Sequence, residues 1–370
     1  MLDSKGSRQA SKKPGLLVIK PKCELDSRTE RMDDILSYVL GDISSEGVHI
    51  TVVEKVSELD NIHMKGQRVL FAICLSEAGV NTEYYHLLEG FRKHPDCLEG
   101  SVGGIIVDGG SELFTKALAR RLAFSANMAG CTFPGKPLVE ATGSLGNFHV
   151  LSGVRGVEPY EVYRQQAKDL TRRIIEFNFP DVNISWKQQK ILAVHASIRK
   201  TSNTLLLWDK VKKDLEHRAD ITEISLREGA IRDCIGCKYE DCLHYGEQGR
   251  CFYGGIMTEQ VYPAMLECDA LIMICPNYND ALNAHLTAFI NRLTALFRVH
   301  EFRQKRIYAI VVSGYSGGDI VSEQIIGALN FNKGFVLPGR FAMVETANDP
   351  FSILDVPDID VRAKAFAGRI

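Results

Sequence analysis

Four cysteines crowd into one segment: Cys234-Ile-Gly-Cys237-Lys-Tyr-Glu-Asp-Cys242, followed by Cys251, in a C-x2-C-x4-C-x8-C spacing. Four thiolates this close suit a [4Fe–4S] cluster first and a zinc ion less well, with free or redox-active thiols as the alternative. A second segment of chemical interest reads His195-Ala-Ser-Ile-Arg-Lys-Thr-Ser-Asn-Thr204. Ser197, Ser202, Asn203 and Thr204 offer donors to phosphate oxygens, and Arg199 offers a bidentate pair. The segment runs into a helical pattern, and a helix N-terminus favours an anion. A plain Ser/Thr N-cap accounts for the same residues. There is no Gly-x-Gly-x-x-Gly and no Walker pattern, which disfavours a Rossmann dinucleotide site or an ATPase.

Two more loops have the same character. Cys275-Pro-Asn-Tyr-Asn-Asp-Ala281 carries a turn proline (Pro276), an aromatic face (Tyr278) and two amides, Asn277 and Asn279. Ser313-Gly-Tyr-Ser-Gly-Gly318 brings together Ser313, Gly314, Tyr315, Ser316, Gly317 and Gly318. Its glycines let backbone approach a flat ring closely, with N–H groups available to a heterocycle edge.

These loops need a frame. Apolar runs of strand length alternate with amphipathic stretches of helix length, and the pattern occurs twice. The second half predicts strands over 190–196, 221–225, 270–275, 306–313 and 335–344, with helices over 204–217, 257–266, 282–297 and 320–331. The first half predicts strands over 16–19, 48–53, 69–75, 102–107 and 138–139, with helices over 32–40, 83–91, 112–128 and 160–177. The expected fold is α/β, two doubly wound parallel sheets in tandem, with strand order 2-1-3-4-5 in the second. In such sheets the ligand lies beyond the C-terminal strand ends where strand order reverses. The three loops follow the first, third and fourth strands of the second half, where that rule puts a ligand.

With these loops in place, the second half resembles the NAD(P)H-dependent FMN reductase and iron–sulfur flavoprotein group of the flavodoxin-like superfamily. That group's first loop usually reads Gly-Ser-Pro-Arg-Lys-x-Gly-Asn-Thr, against Ala196-Ser-Ile-Arg-Lys-Thr-Ser-Asn-Thr204 here. Its second element is Pro-x-Tyr and a helix ending Lys-x-Phe-x-Asp-Arg. Pro276, Tyr278, Phe289 and Arg292 match, whereas Thr287 and Asn291 replace the Lys and Asp. The resemblance implies FMN bound by the three loops, NAD(P)H as electron donor, and a small-molecule or protein acceptor. A flavodoxin-like electron carrier or redox sensor without NAD(P)H turnover is the alternative. Iron–sulfur flavoproteins carry a four-cysteine motif at the same place, with two residues between the second and third cysteines where this chain has four. The implied metal ligands are Cys234, Cys237, Cys242 and Cys251.

The expected organisation is a disordered tail over 1–14, a degenerate flavodoxin-like domain over 15–180, a linker at Asn178–Lys187, and the FMN-binding domain over 187–370. The first half has its own Asp108-Gly-Gly110 turn, a Ser76–Asn81 loop, and a Ser125–Gly135 stretch like the strand-four to strand-five region of the fold. It has no recognisable phosphate loop, because acids follow Lys20. It therefore reads as a packing, pseudo-dimerisation or docking partner, with Lys116, Arg120 and Arg121 as an exposed basic face. A net charge of −2 with mixed signs argues against nucleic-acid or membrane-surface binding. No apolar run reaches membrane-span length. Ten cysteines and a polar N-terminus point to a reducing, cytoplasmic setting.

Overall fold

The computed structural model describes residues 15–23, 28–178, 188–197, 201–227 and 231–370. The tail at 1–14, most of the linker and Arg199 lie outside them.

The first half supplies strands β1 (Leu16–Ile19), β2 (Ile50–Val53), β3 (Arg68–Leu75), β4 (Val102–Gly109) and β5 (Leu138–Ala141). Its helices are α1 (Arg28–Ser45), α2 (Thr82–Lys93), α3 (Thr115–Met128), α4 (His149–Arg155) and α5 (Pro159–Glu176). The second half supplies β6 (Gln189–His195), β7 (Ala219–Ser225), β8 (Ala270–Pro276), β9 (Arg306–Ser313) and β10 (Ala342–Thr346). Its helices are α6 (Asn203–Leu215), α7 (Tyr239–Glu247), α8 (Tyr262–Glu267), α9 (Ala284–Phe297), α10 (Gly318–Ile325) and α11 (Ile359–Ala367).

Each half forms a five-stranded sheet, ordered β2-β1-β3-β4-β5 and β10-β9-β8-β6-β7, with all pairings parallel. Read from its β7 edge, the second sheet has the expected 2-1-3-4-5 order. The central strands are apolar throughout because helices cover both of their faces. One shared core lies between the sheets, filled from α2, α3, α8, α9 and α10. Separate outer cores lie under α1 and α5 and under α6 and α11.

The halves meet through a repeated sequence. Asn127, Gly130, Phe133, Pro134, Gly135 and Lys136 correspond to Asn330, Gly334, Leu337, Pro338, Gly339 and Arg340. Phe133 and Leu337 form an antiparallel bridge. Asn127 Nδ2 donates to Pro338 O (2.7 Å), and Asn330 Nδ2 donates to Pro134 O (3.1 Å). Arg340 N donates to Asn127 O (2.8 Å), and Lys136 N donates to Asn330 O (3.0 Å). A Cβ on Gly135 would strike Gly334 O at 1.9 Å, and one on Gly339 would strike Gly130 O at 2.4 Å. Such reciprocity is the signature of an isologous interface about a pseudo-two-fold axis.

Three sequence expectations need correction. The strand expected over 335–344 begins only at Ala342, because Phe335–Leu337 leaves the sheet to make the bridge to Phe133. The helices expected over 257–266 and 320–331 contain π-helical segments, Met257–Val261 and Ile326–Lys333. The second of these supplies the extra residue between Asn330 and Gly334 relative to Asn127 and Gly130. Helices α4, α7 and α11 were not expected; the four-cysteine segment is partly helical, with Cys242 on α7.

Candidate functional site

β6 ends at His195, and the chain passes through Ala196 and Ser197 before α6 begins at Asn203. Ser202 is the N-cap of α6, its Oγ accepting from Leu205 N (3.4 Å). Asn203 donates through Nδ2 to Ala347 O (3.1 Å) and Asp349 O (2.8 Å), and its Oδ1 accepts from Ile353 N (3.3 Å). Its amide therefore staples the start of α6 to the loop after β10. Thr204 is buried. The first N–H groups of α6 have no intrahelical acceptor, and they open onto this edge of the sheet.

The loop after β8 turns at Tyr278–Ala281. Asn279 (φ 53°) and Asp280 (φ 55°) are both left-handed, and Ala281 N donates to Tyr278 O (3.1 Å), as in a type I′ turn. Asn277 ties this loop to the one after β9. Its backbone N donates to Val312 O (2.9 Å), and its Nδ2 donates to Ser316 O (2.8 Å) and Ser313 Oγ (3.2 Å). Gly317, at φ 82°, has no room for a side chain: a Cβ would lie 2.0 Å from Asp280 Oδ1. Asn348, after β10, donates to Tyr315 Oη (3.2 Å), and Ala347 N donates to Ser313 O (2.9 Å).

These contacts bring four loops around one pocket of about 600 Å³ at the C-terminal edge of the sheet. It opens where β6 and β8 adjoin, the point at which strand order reverses. Ser197, Thr201 and Ser202 line one end; Asn277, Tyr278 and Tyr315 line the other. Tyr278 and Tyr315 keep exposed ring faces. Asn277 Oδ1 is buried without a hydrogen-bond partner among the described residues, so it is an acceptor available to a ligand N–H. Of the residues singled out from sequence, Ser197, Ser202, Asn203, Thr204, Pro276, Asn277, Tyr278, Asn279, Gly314, Tyr315 and Ser316 line the pocket. Ser313, Gly317 and Gly318 stand behind it and hold the loops. Asp280, Ala347, Asn348 and Pro350 also line it and were not foreseen. Asp280 lies inside a loop already singled out. The β10 loop went unread because its strand was placed too early.

Behind the first loop, His195 Nδ1 lies 3.0 Å from Ser197 O and its Nε2 lies 3.3 Å from Glu223 Oε1. Glu223 also accepts from Trp208 Nε1 and Lys212 Nζ, both at 3.0 Å. The His195 contact foremost, then Trp208 and Lys212, hold its carboxyl down to about 2 against the opposing effect of burial.

Residues 189–349 match the family model for NADPH-dependent FMN reductase. The match spans most of the second half, from the start of β6 to the loop after β10. An azoreductase from Bacillus anthracis is similar at 14% identity, over 49% of this chain and 97% of its own, with a TM-score of 0.36. An FMN-dependent NADH-azoreductase from Bacillus anthracis, solved with FMN, is similar at 12% identity, over 49% and 99% of the two chains, with a TM-score of 0.35. The Trp repressor binding protein from Bacillus subtilis is similar at 18% identity, over 48% and 99%, with a TM-score of 0.33. No curated protein matches the chain.

In this second domain the cysteine segment lies away from the pocket. Asp233 Oδ1 accepts from Asn291 Nδ2 (2.9 Å), Gly246 abuts Ala295 O, and the Arg298 guanidinium covers the Tyr239 ring at 4.5 Å. These anchors sit eight or more residues along α9 from its Asn283 cap, a rise of about 12 Å or more. Cys234 is exposed and the other three are half-buried. Burial raises the Cys237 thiol, and Cys234, Cys251 and Cys242 push it further in the same direction. The four thiols thus share a neighbourhood. Among the described residues no group of three or more His, Cys, Asp or Glu is set to hold a metal ion.

The equivalent edge of the first sheet is occupied by the protein itself. Arg31 reaches from α1 to Asp108 (Nε to Oδ2, 2.9 Å), Gly143 O (3.2 Å) and Thr142 O (3.1 Å). Tyr163 Oη donates to Asp108 Oδ2 (3.3 Å). Lys20 pairs with Asp33 and Glu54. The loops after β3 and β4 touch, since a Cβ on Gly110 would meet Glu77 N at 2.6 Å. The basic residues of α3 are not simply an exposed face. Lys116 pairs with Glu140, Arg121 approaches Glu323 of the other half (3.9 Å), and Arg120 packs over Gly327.

Proposed function

We propose that the second domain binds FMN in the four-loop pocket and transfers reducing equivalents from NAD(P)H through it to a small-molecule or protein acceptor. The observation that carries this reading is the convergence of the loops after β6, β8, β9 and β10 on one pocket at the switch point, within the span of the family match. Bound FMN supplies a two-electron hydride acceptor that can also release electrons singly. The chain supplies the placement. The start of α6, with Ser197, Thr201 and Ser202, holds the phosphate, assisted by Arg199. The loops after β8 and β9 hold the ring, with the unpartnered Asn277 Oδ1 accepting from a ring N–H and the Tyr278 and Tyr315 faces flanking the opening. Asn203, Ser313, Gly317 and Gly318 fix the loops to one another.

In this reading the first half is a degenerate copy that serves for packing and acceptor docking, and the setting is cytoplasmic. The proposed division falls in the Asn178–Lys187 linker. An acceptor route through a [4Fe–4S] cluster or zinc at the cysteines is not needed for flavin reduction. FMN titration of the isolated protein, followed by steady-state NADPH and NADH oxidation, tests the reading. Saturable FMN uptake with turnover is expected. Uptake without turnover leaves an electron carrier, and failure to take up FMN overturns the assignment.

A further inference from the structure

The pseudo-two-fold axis relates two surroundings that differ sharply in charge. In one, Arg340 (φ 55°) follows Pro338-Gly339 and pairs with Asp96 and Glu99, with Arg369 beside the same group. Two cations there meet two carboxylates. In the other, Lys136 (φ 57°) follows Pro134-Gly135 in the same conformation. The position equivalent to Glu99 is Arg303, and the one equivalent to Asp96 is His300. The local geometry confirms the equivalence. A Cβ on Gly130 would meet Glu99 Cα at 2.7 Å, and one on Gly334 would lie 3.9 Å from Arg303 Cγ and 3.6 Å from Lys136 Cγ. Arg173 of α5 completes the second group, donating through Nη1 to Gly135 O (3.1 Å).

Symmetry has thus been kept in the backbone and broken in the charges. Burial lowers the affinity of Lys136 for its proton, and Arg303 and Arg173 lower it further, with Glu301 opposing. Burial and Arg303 likewise weaken Arg173 as a cation, with Asp169 opposing. Neither Lys136 nor Arg173 makes a carboxylate ion pair among the described residues; Arg303 has Glu301 at 3.6 Å. Like charges gathered in a partly desolvated cleft cost stability unless an anion joins them.

Lys136, Arg173 and Arg303 line a cleft of about 990 Å³ between the halves; Arg155 and Arg172 add to its positive charge, and Asp169 and Glu176 offset part of it. Arg303 precedes β9, so the cleft lies at the N-terminal edge of the second sheet, opposite the four-loop pocket. A ligand here cannot reach a flavin held at the other edge. We propose that this cleft is a separate binding site for a phosphorylated small molecule carrying two or more negative charges, held by Lys136, Arg173 and Arg303. The two guanidinium forks match phosphate oxygens, and the volume accommodates a nucleotide.

The test is isothermal titration calorimetry of the full chain at low salt, with excess FMN present, using sodium pyrophosphate and ADP as probes. Saturable binding of either probe at one site per chain is expected. Lys136→Met should weaken it about tenfold or more. Arg303→Glu should abolish it, because that change puts a carboxylate where the other copy has Glu99, and it should leave the thermal midpoint unchanged or raised. No saturable binding of either probe at millimolar concentration, or undiminished binding in both variants, overturns the proposal. FMN uptake, measured separately, reports on the four-loop pocket and does not depend on this site.

Discussion

Phe133 and Leu337 exchange both of their backbone hydrogen bonds, Phe133 N to Leu337 O at 2.9 Å and Leu337 N to Phe133 O at 2.8 Å. The pseudo-two-fold axis runs between them. The contact has the form of a homodimer interface, yet both sides belong to one chain. The natural physical account is duplication of a self-associating domain, followed by divergence. One copy kept an open ligand pocket. The other filled the equivalent edge with Arg31 and Asp108.

The two buried asparagines beside this axis both donate across it to carbonyls of the other half. Asn127 also binds Cys131 O (2.9 Å) and Phe341 N (3.0 Å), and Asn330 also binds Phe335 O (2.7 Å). Replacing either by alanine strands buried backbone groups of both halves. Asn127→Ala and Asn330→Ala should each cost about 2–4 kcal/mol. Denaturant unfolding checks this. A loss below about 0.5 kcal/mol for either would mean the interface does not depend on it.

Gly317 tests the pocket itself. Its positive φ and the 2.0 Å approach to Asp280 Oδ1 mean that Gly317→Ala must push apart the loops after β8 and β9. FMN affinity should fall about tenfold or more, with a stability loss of about 1–3 kcal/mol. Fluorescence titration with FMN, alongside thermal unfolding, separates the two effects. Unchanged FMN affinity would show that these loops do not hold the flavin.

The Glu223 network should be visible in acid. Its carboxyl is depressed from 4.5 to about 2, so the folded state binds the proton less readily than the unfolded chain. Its contribution is complete above pH 4.5 and is lost as the pH falls through about 2. Wild-type stability should therefore decline across that window more steeply than that of Glu223→Gln. Unfolding curves at stepped pH measure the difference. Parallel declines would place the acid sensitivity elsewhere.

Cys237→Ser should leave FMN affinity unchanged, because the cysteines pack along α9 and none of them lines the pocket. Iron, zinc and sulfide assays on the wild-type protein, prepared without air, decide whether the thiols carry a metal. A variant that loses flavin would mean the segment reaches the pocket after all.

Much of this was legible before any coordinates. Both sheets follow from runs such as Val69–Leu75 and Arg306–Ser313, whose apolar character leaves a strand buried on two faces as the natural reading. The three loops could be placed because strand order dictates where a ligand sits. Other features were hidden for physical reasons. Phe335–Leu337 looks like a strand by composition, and only the partner half shows that it leaves the sheet. Asn203 looks like a phosphate donor, but a loop more than 140 residues away consumes its amide. Arg31 and Asp108 are 77 positions apart, beyond the reach of any local pattern.

That ion pair offers the sharpest test of the first half. Asp108 is fully buried, and Arg31 and Tyr163 are its partners across the strand ends. Arg31→Met removes the guanidinium that faces the buried Asp108 carboxylate and strips Gly143 O and Thr142 O of a donor. A loss of about 3–5 kcal/mol is expected. Adding Asp108→Leu to Arg31→Met should recover part of that loss, since the buried charge is then gone. Non-additivity in this double-mutant cycle would identify the pair as the plug of the first sheet's edge. Additive losses would mean that Arg31 acts through the backbone carbonyls alone. If the double variant also gained FMN binding at the first sheet, filling of that edge by Arg31 would be the feature that separates the two copies.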